Sequence, residues 1–216
     1  MLISHRHKFL YFVIPKCGSA TLRQSLAPHA DIGWPVNNYE QHVPIKRFLL
    51  TPEAPLLSTY FRFTFTRNPY DRIYSGYLQD RFASEHYPRW TKEKKPIFDE
   101  IGEDFAAYLE HYVSTADIGS DWRWICFCPM TEFATLDGKN MLDFVGRAEH
   151  LEEDMNKLGD ALGLTIQKAP DHNVRTGTCS ESLKYIDKYT PRSIQIVNDL
   201  YAQDFANFGY TMLDPA

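Results

Sequence analysis

A chain of 216 residues with 44% apolar and 24% charged side chains has the balance of a soluble globular protein and the length for one domain, 1–216, with a sizeable core. Its 23 basic and 28 acidic residues leave a formal charge of −5, which excludes the broad basic face that duplex nucleic acid requires. No apolar run reaches the roughly 18–20 residues of a membrane span, so the chain is expected to be cytoplasmic.

In chain order, residues 8–14 read as a buried strand, stopped by Pro15. Residues 19–27 read as a helix with Leu22 and Leu26 on one face. Residues 28–58 carry five prolines and read as loop with a short helix near Ile45–Leu50. Phe61–Thr66 is a second strand. Pro69 suits the first turn of a helix over Asp71–Phe82, where Ile73, Tyr74, Tyr77 and Leu78 recur at helical spacing. Residues 84–96, with Pro88, Pro96 and the cluster Lys92, Lys94 and Lys95, read as a solvated surface loop. Phe98–Tyr112 reads as a helix. Thr131–Leu136 and Met141–Val145 read as strands turning at Asp137-Gly138. Glu149–Leu162 is an amphipathic helix closed by Gly163. Residues 168–180 form a polar loop, and Pro191–Phe208 is the last helix. Strands alternating with helices imply an α/β fold with a largely parallel sheet. The four cysteines, Cys17, Cys126, Cys128 and Cys179, make no disulfide framework at this length, and Cys126-x-Cys128 lacks the second pair of a zinc site. No metal is expected.

Two stretches carry chemistry. In PKCGSATLR, residues 15–23, a strand enters a helix through small residues. The first turn of a helix offers unpaired N–H groups and a positive dipole end, so such a junction can cradle a phosphate. Gly18 permits close approach, Ser19 and Thr21 add hydroxyls, and Lys16 adds a full charge. The order of residues differs from the nucleotide loop G-x-x-x-x-G-K-[ST], since the lysine precedes the glycine. In RNPYDRIYSGY, residues 67–77, Arg67 ends a strand and Ser75 follows on the next helix. Arginine forks onto phosphate and serine adds a donor; Arg72 lies between them and faces either the same side or solvent. Two strand ends of one parallel sheet, each with anion-binding groups, describe a clamp for a ligand with two separated phosphates.

These two stretches resemble the 5′-phosphosulfate loop and the 3′-phosphate motif of sulfotransferases. DFVGRAEHLEEDM, residues 143–155, and DHNVRT with DFANFGY, residues 171–176 and 204–210, resemble further blocks of the carbohydrate, Golgi-type branch that contains the heparan and chondroitin enzymes. The resemblance implies a P-loop-like three-layer fold with a central, mainly parallel β-sheet flanked by helices. It implies the donor 3′-phosphoadenosine 5′-phosphosulfate, the by-product adenosine 3′,5′-bisphosphate, and a carbohydrate or other hydroxylated acceptor. Within it, Lys16 sits on the bridging oxygen. Lys16, Cys17, Gly18, Ser19, Ala20 and Thr21 hold the 5′-phosphate, and Arg67 and Ser75 hold the 3′-phosphate. His42, between the two motifs, is the general base, oriented or replaced by Glu40. His172 is a further candidate for the nucleotide or acceptor site. Trp122, Arg123 and Trp124 offer aromatic faces to a sugar or to adenine, and are equally suited to a core. Asp121-Trp122 and Pro129-Met130 stand where that branch often has His-Trp and Pro-Gln, which sets this chain apart from a standard glycosaminoglycan enzyme. The competing readings are a phosphotransferase using ATP and magnesium, and a non-catalytic nucleotide-binding module.

Overall fold

The computed structural model describes residues 1–33, 35–37, 40–170 and 183–215. The chain is mixed α/β and divides into two compact units, Met1–Arg67 with Met130–Glu181, and Asn68–Pro129 with Ser182–Ala216.

The first unit holds a four-stranded sheet. Strands β1 (Leu2–Ser4), β2 (Phe9–Tyr11), β3 (Phe61–Thr66) and β6 (Phe144–Arg147) lie side by side in that order. The β2–β3 pair and the β3–β6 pair are parallel, with Tyr11 opposite Phe63 and Thr66 opposite Arg147. β1 pairs antiparallel to β2. A parallel strand is covered on both faces, which explains the unbroken apolar run from Phe9 to Ile14. Alternate side chains serve opposite layers. Tyr11, Phe63 and Phe65 form one core with Leu22 and Leu26 of α1 (Ser19–Leu26) and Met155 and Leu158 of α6 (Leu151–Leu162). Phe12 meets Phe48 of α2 (Ile45–Phe48) edge-on, at 5.5 Å between ring centroids, in the other layer. The central, mostly parallel sheet flanked by helices is thus the fold expected. Gly146 is required in β6: a Cβ there would stand 2.4 Å from the ring of Phe65.

Several expectations need correction in this unit. β1 was unforeseen, because three residues carry no readable period. The strand expected at Thr131–Leu136 is a 3-10 turn, Met130–Phe133, followed by the two-residue β4 (Thr135–Leu136). β4 does pair with β5 (Lys139–Asn140) across Asp137-Gly138, whose φ values of 49° and 74° are those of a tight hairpin turn. The strand placed at Met141–Val145 lies instead at Phe144–Arg147, because Asp143 grips the main chain and guanidinium of Arg62 at 2.7–2.8 Å and fixes the register against β3.

The second unit is helical. α3 (Pro69–His86) begins with Pro69 and the Asn68 side chain, which accepts the Tyr70 N–H. The loop expected over residues 84–96 is absent: α3 runs to His86, and α4 (Pro88–Ile101) starts with Pro88 in its first turn and tolerates Pro96 inside. Ile97, Phe98 and Ile101 face the core there, and tertiary packing outweighs the local cost of proline. Lys94 is not solvated but 2% exposed, with Nζ 2.9 Å from Asp80 and 3.3 Å from the Trp124 ring centroid. The helix expected over Phe98–Tyr112 breaks at Gly102, φ 62°, and resumes as α5 (Phe105–Tyr108) and a π turn, Leu109–Val113. The last helix breaks at Tyr201 into α7 (Pro191–Leu200) and α8 (Ala202–Phe208), where the Tyr201 hydroxyl donates to the Phe127 carbonyl at 2.7 Å. Arg72 does not face solvent. Its guanidinium is fully buried, donates to the carbonyls of Cys126 and Cys128, and lies 4.0 Å from Asp204. Among the described residues, no helix is long and apolar enough to cross a membrane.

Candidate functional site

The parallel strands β2, β3 and β6 point the same way, so their carboxyl ends share one edge of the sheet, the edge where ligands of open α/β folds gather. The chain leaves β2 through Pro15 and turns sharply. Lys16 has φ 68° and Gly18 φ 71°, both left-handed, with Cys17 between them. A lysine in that conformation costs about 1–2 kcal/mol. Cys17 anchors the turn from within: it is fully buried, with its sulfur 3.9 Å from Met130 Sδ. What Cys17 can offer a ligand is therefore its main chain. Gly18 is the N-cap of α1 and Leu22 N–H closes the first helical bond onto its carbonyl at 3.1 Å. No side chain caps α1, and no acidic residue occupies its first turn. Ser19 and Ala20 are half-buried there, and Thr21 is buried.

Arg67 follows β3 directly and reaches the same turn. It is 5% exposed, its Nη1 donates to the Lys16 carbonyl at 3.4 Å, and its buried Nε has no hydrogen-bond partner. An unsatisfied buried donor costs about 1–3 kcal/mol, more when charged. A cation held with a donor unspent, beside a lysine and an uncapped helix start, is what an anionic ligand would complete. The residues present therefore fit a phosphate-bearing ligand.

His42 lies in the same unit, and its Nδ1 is 2.8 Å from the Val13 carbonyl. A carbonyl only accepts, so Nδ1 carries the hydrogen of the neutral ring and Nε2 keeps its lone pair. Protein packed round the half-buried ring disfavours its charged form and pushes the pKa down to about 3; the nearby charges of Arg23 and Lys16 add to this, and the bond to Val13 opposes it. Glu40 pairs with Arg47 at 2.9 Å, so the Val13 carbonyl supplies the orientation that had been expected of Glu40.

The remaining candidates lie in the second unit or outside the described residues. Ser75 is on α3 and 2% exposed. Trp122, Arg123 and Trp124 form a 3-10 turn capped by Asp121. Trp124 packs on Tyr108 and Phe127 beneath Lys94, and Arg123 is engaged by Asp121 at 2.6 Å and Glu93 at 4.0 Å. Trp122 alone of the three is an exposed ring, with the Arg89 guanidinium 3.9 Å over it. His172 and Cys179 lie outside the described residues. Arg23 of α1 donates from Nε to the Ser19 carbonyl at 3.0 Å and from Nη1 to the Gln41 side-chain oxygen, and neither residue was singled out from the sequence. The signal was available in part, since Arg23 stands one helical turn after Ser19 and Gln41 directly precedes His42.

The profile of the sulfotransferase family matches residues 1–211. Carbohydrate sulfotransferase 9 of Homo sapiens is 25% identical over 97% of this chain and 52% of its own length. Carbohydrate sulfotransferase 14 of Mus musculus is 28% identical over 98% of this chain and 60% of its own. Carbohydrate sulfotransferase 8 of Mus musculus is 23% identical over 98% and 56%. The chain thus spans between half and three-fifths of the length of these curated relatives. No solved structure matches it. The chain, matched over nearly all its length, belongs to the sulfotransferase family.

Proposed function

We propose that this protein is an enzyme that transfers a sulfuryl group from 3′-phosphoadenosine 5′-phosphosulfate to a carbohydrate hydroxyl. The names of its relatives support the carbohydrate, and the observation that carries the donor is the pairing of Lys16 with Arg67, whose Nε is buried without a partner. The donor supplies an activated sulfur–oxygen bond. Gly18, Ser19, Ala20 and Thr21 hold its 5′-phosphate on the start of α1, with the main chain of Cys17 beside them. Arg67 holds the 3′-phosphate, a role shared by Ser75 on the strength of the sequence resemblance. Lys16 stands over the bridging oxygen and offsets the charge that gathers there as that bond breaks.

As the acceptor oxygen bonds to sulfur, His42 Nε2 takes the acceptor's proton, and the electron pair of the broken bond stays with the departing phosphate. Burial keeps His42 neutral, and so ready to accept. A bound polyanion favours the protonated ring by simple attraction, which strengthens the base when it is needed. Trp122 and Arg123 remain candidates for the acceptor, as does His172.

The test is incubation with labelled donor and a panel of saccharides, with His42→Ala and Lys16→Ala as controls. Transfer that depends on both side chains is expected. Wild-type rates in either variant reject its assigned role. Displacement of the donor by ATP with magnesium, but not by adenosine 3′,5′-bisphosphate, rejects the donor in favour of a phosphotransferase.

A further inference from the structure

The base of the proposed reaction and the cradle for the 5′-phosphate come from segments about twenty residues apart, and one buried side chain joins them. Arg23 lies on α1 and is 7% exposed. Its Nε donates to the Ser19 carbonyl at 3.0 Å, in the first turn of the same helix. Its Nη1 donates to the side-chain oxygen of Gln41, the residue before His42. Behind His42, the Val13 carbonyl holds Nδ1 from the extended segment that runs from β2 to Lys16. The histidine is thus fixed on one side by β2's continuation and on the other, through Gln41, by the helix that begins the phosphate cradle.

We propose that Arg23 and Gln41 act together as positioning residues, setting the His42 ring at a fixed distance from the helix start that holds the donor. The inference rests on the reading of His42 as base and of the α1 start as phosphate cradle. Its physical content is geometric. Segment 40–44 has no regular secondary structure of its own before α2; the Met1 ammonium donates to the carbonyls of Glu40 and Gln41, and the side chains of Gln41 and His42 tie the segment to α1 and to Val13. A guanidinium can span two acceptors in fixed directions, which an ammonium or a methylene chain cannot. Misplacement of a reacting group by about 1 Å costs on the order of 10²-fold in rate. Arg23 touches neither partner of the reaction in this account; it acts through Gln41.

Three variants test this in the full chain: Arg23→Met, Gln41→Leu and the double variant. Turnover is measured with labelled donor and a saccharide that the wild type sulfates, and nucleotide binding by calorimetry with adenosine 3′,5′-bisphosphate. Each single change is expected to lower kcat about 10- to 100-fold while the nucleotide Kd stays within about twofold, and the double change to cost no more than either alone, as coupled residues do. Gln41→Glu, which keeps an acceptor for Arg23, is expected to retain most of the rate. Gln41 is half-buried, so its variants report even where Arg23→Met fails to fold. Wild-type kcat in Gln41→Leu, additive losses, or a loss of nucleotide affinity equal to the loss of rate would each overturn the proposal. If His42→Ala keeps full activity or the nucleotide does not bind, the parent reading fails; if both hold and Gln41 is indifferent, only this inference does.

Discussion

At the scale of single residues, the first unit buries a guanidinium nitrogen that has no hydrogen-bond partner. It is Nε of Arg67, and replacement of that residue by an apolar side chain removes the cost of the unpaired donor along with one long bond to Lys16. Arg67→Met is therefore expected to change stability by no more than about 1 kcal/mol, yet to weaken adenosine 3′,5′-bisphosphate by about 10- to 100-fold, the worth of a charge-assisted hydrogen bond. Parallel urea titrations and calorimetry check the pair of outcomes; a large stability loss with unchanged affinity would make Arg67 a strut. His42 gives a pH signature. Its pKa falls from 6.5 unfolded to about 3 folded, so between those values the unfolded chain binds a proton that the folded one refuses. Its contribution to stability is complete above pH 6.5 and is lost as pH falls toward 3. His42→Gln should flatten that part of the acid limb. Urea midpoints measured at pH 7 and pH 4 decide it, and an equal drop in variant and wild type would contradict the buried neutral ring.

At the scale of elements, the same left-handed turn that shapes the cradle limits what can occupy it. Gly18→Ala forces a Cβ into φ 71°, with Leu151 Cδ1 at 3.4 Å, and is expected to destabilise by about 1–2 kcal/mol while weakening the nucleotide. Thermal melts with and without adenosine 3′,5′-bisphosphate would reveal both effects. In the second unit, α3 and α4 are joined by Asp80, which receives Lys94 at 2.9 Å and the Tyr108 hydroxyl at 2.7 Å. Removing one member of a buried pair strands the other charge, at a cost of about 3–5 kcal/mol. Lys94→Met should show that loss in urea unfolding, and Asp80→Asn in the same chain should recover much of it. A single variant as stable as wild type would mean that the Trp124 face alone secures α4.

At the scale of the whole molecule, a ligand that binds only the folded chain raises its stability by mass action, by about 2.7 kcal/mol at a hundred times Kd. Adenosine 3′,5′-bisphosphate is expected to raise the melting temperature well above AMP at equal concentration, because only it engages both Lys16's turn and Arg67. Equal shifts from the two nucleotides would remove the clamp. The amino-acid sequence by itself determined the central strands, since Phe9–Ile14 is apolar throughout and Phe61–Thr66 alternates phenylalanine with arginine and threonine. It also determined the strand-to-helix junction, since Gly18 takes a left-handed φ without strain where the helix begins, and the stop of α6 at Gly163. These are local properties, set by period and backbone freedom. The tertiary structure alone decided that Pro88–Ile101 is a helix despite Pro96, that Lys94 and Arg72 are interior, that Val13 rather than Glu40 orients His42, and that Arg23 reaches Gln41. Each of these depends on a partner distant in sequence, and a long cation reads the same in a string of letters whether water or a buried carbonyl receives it.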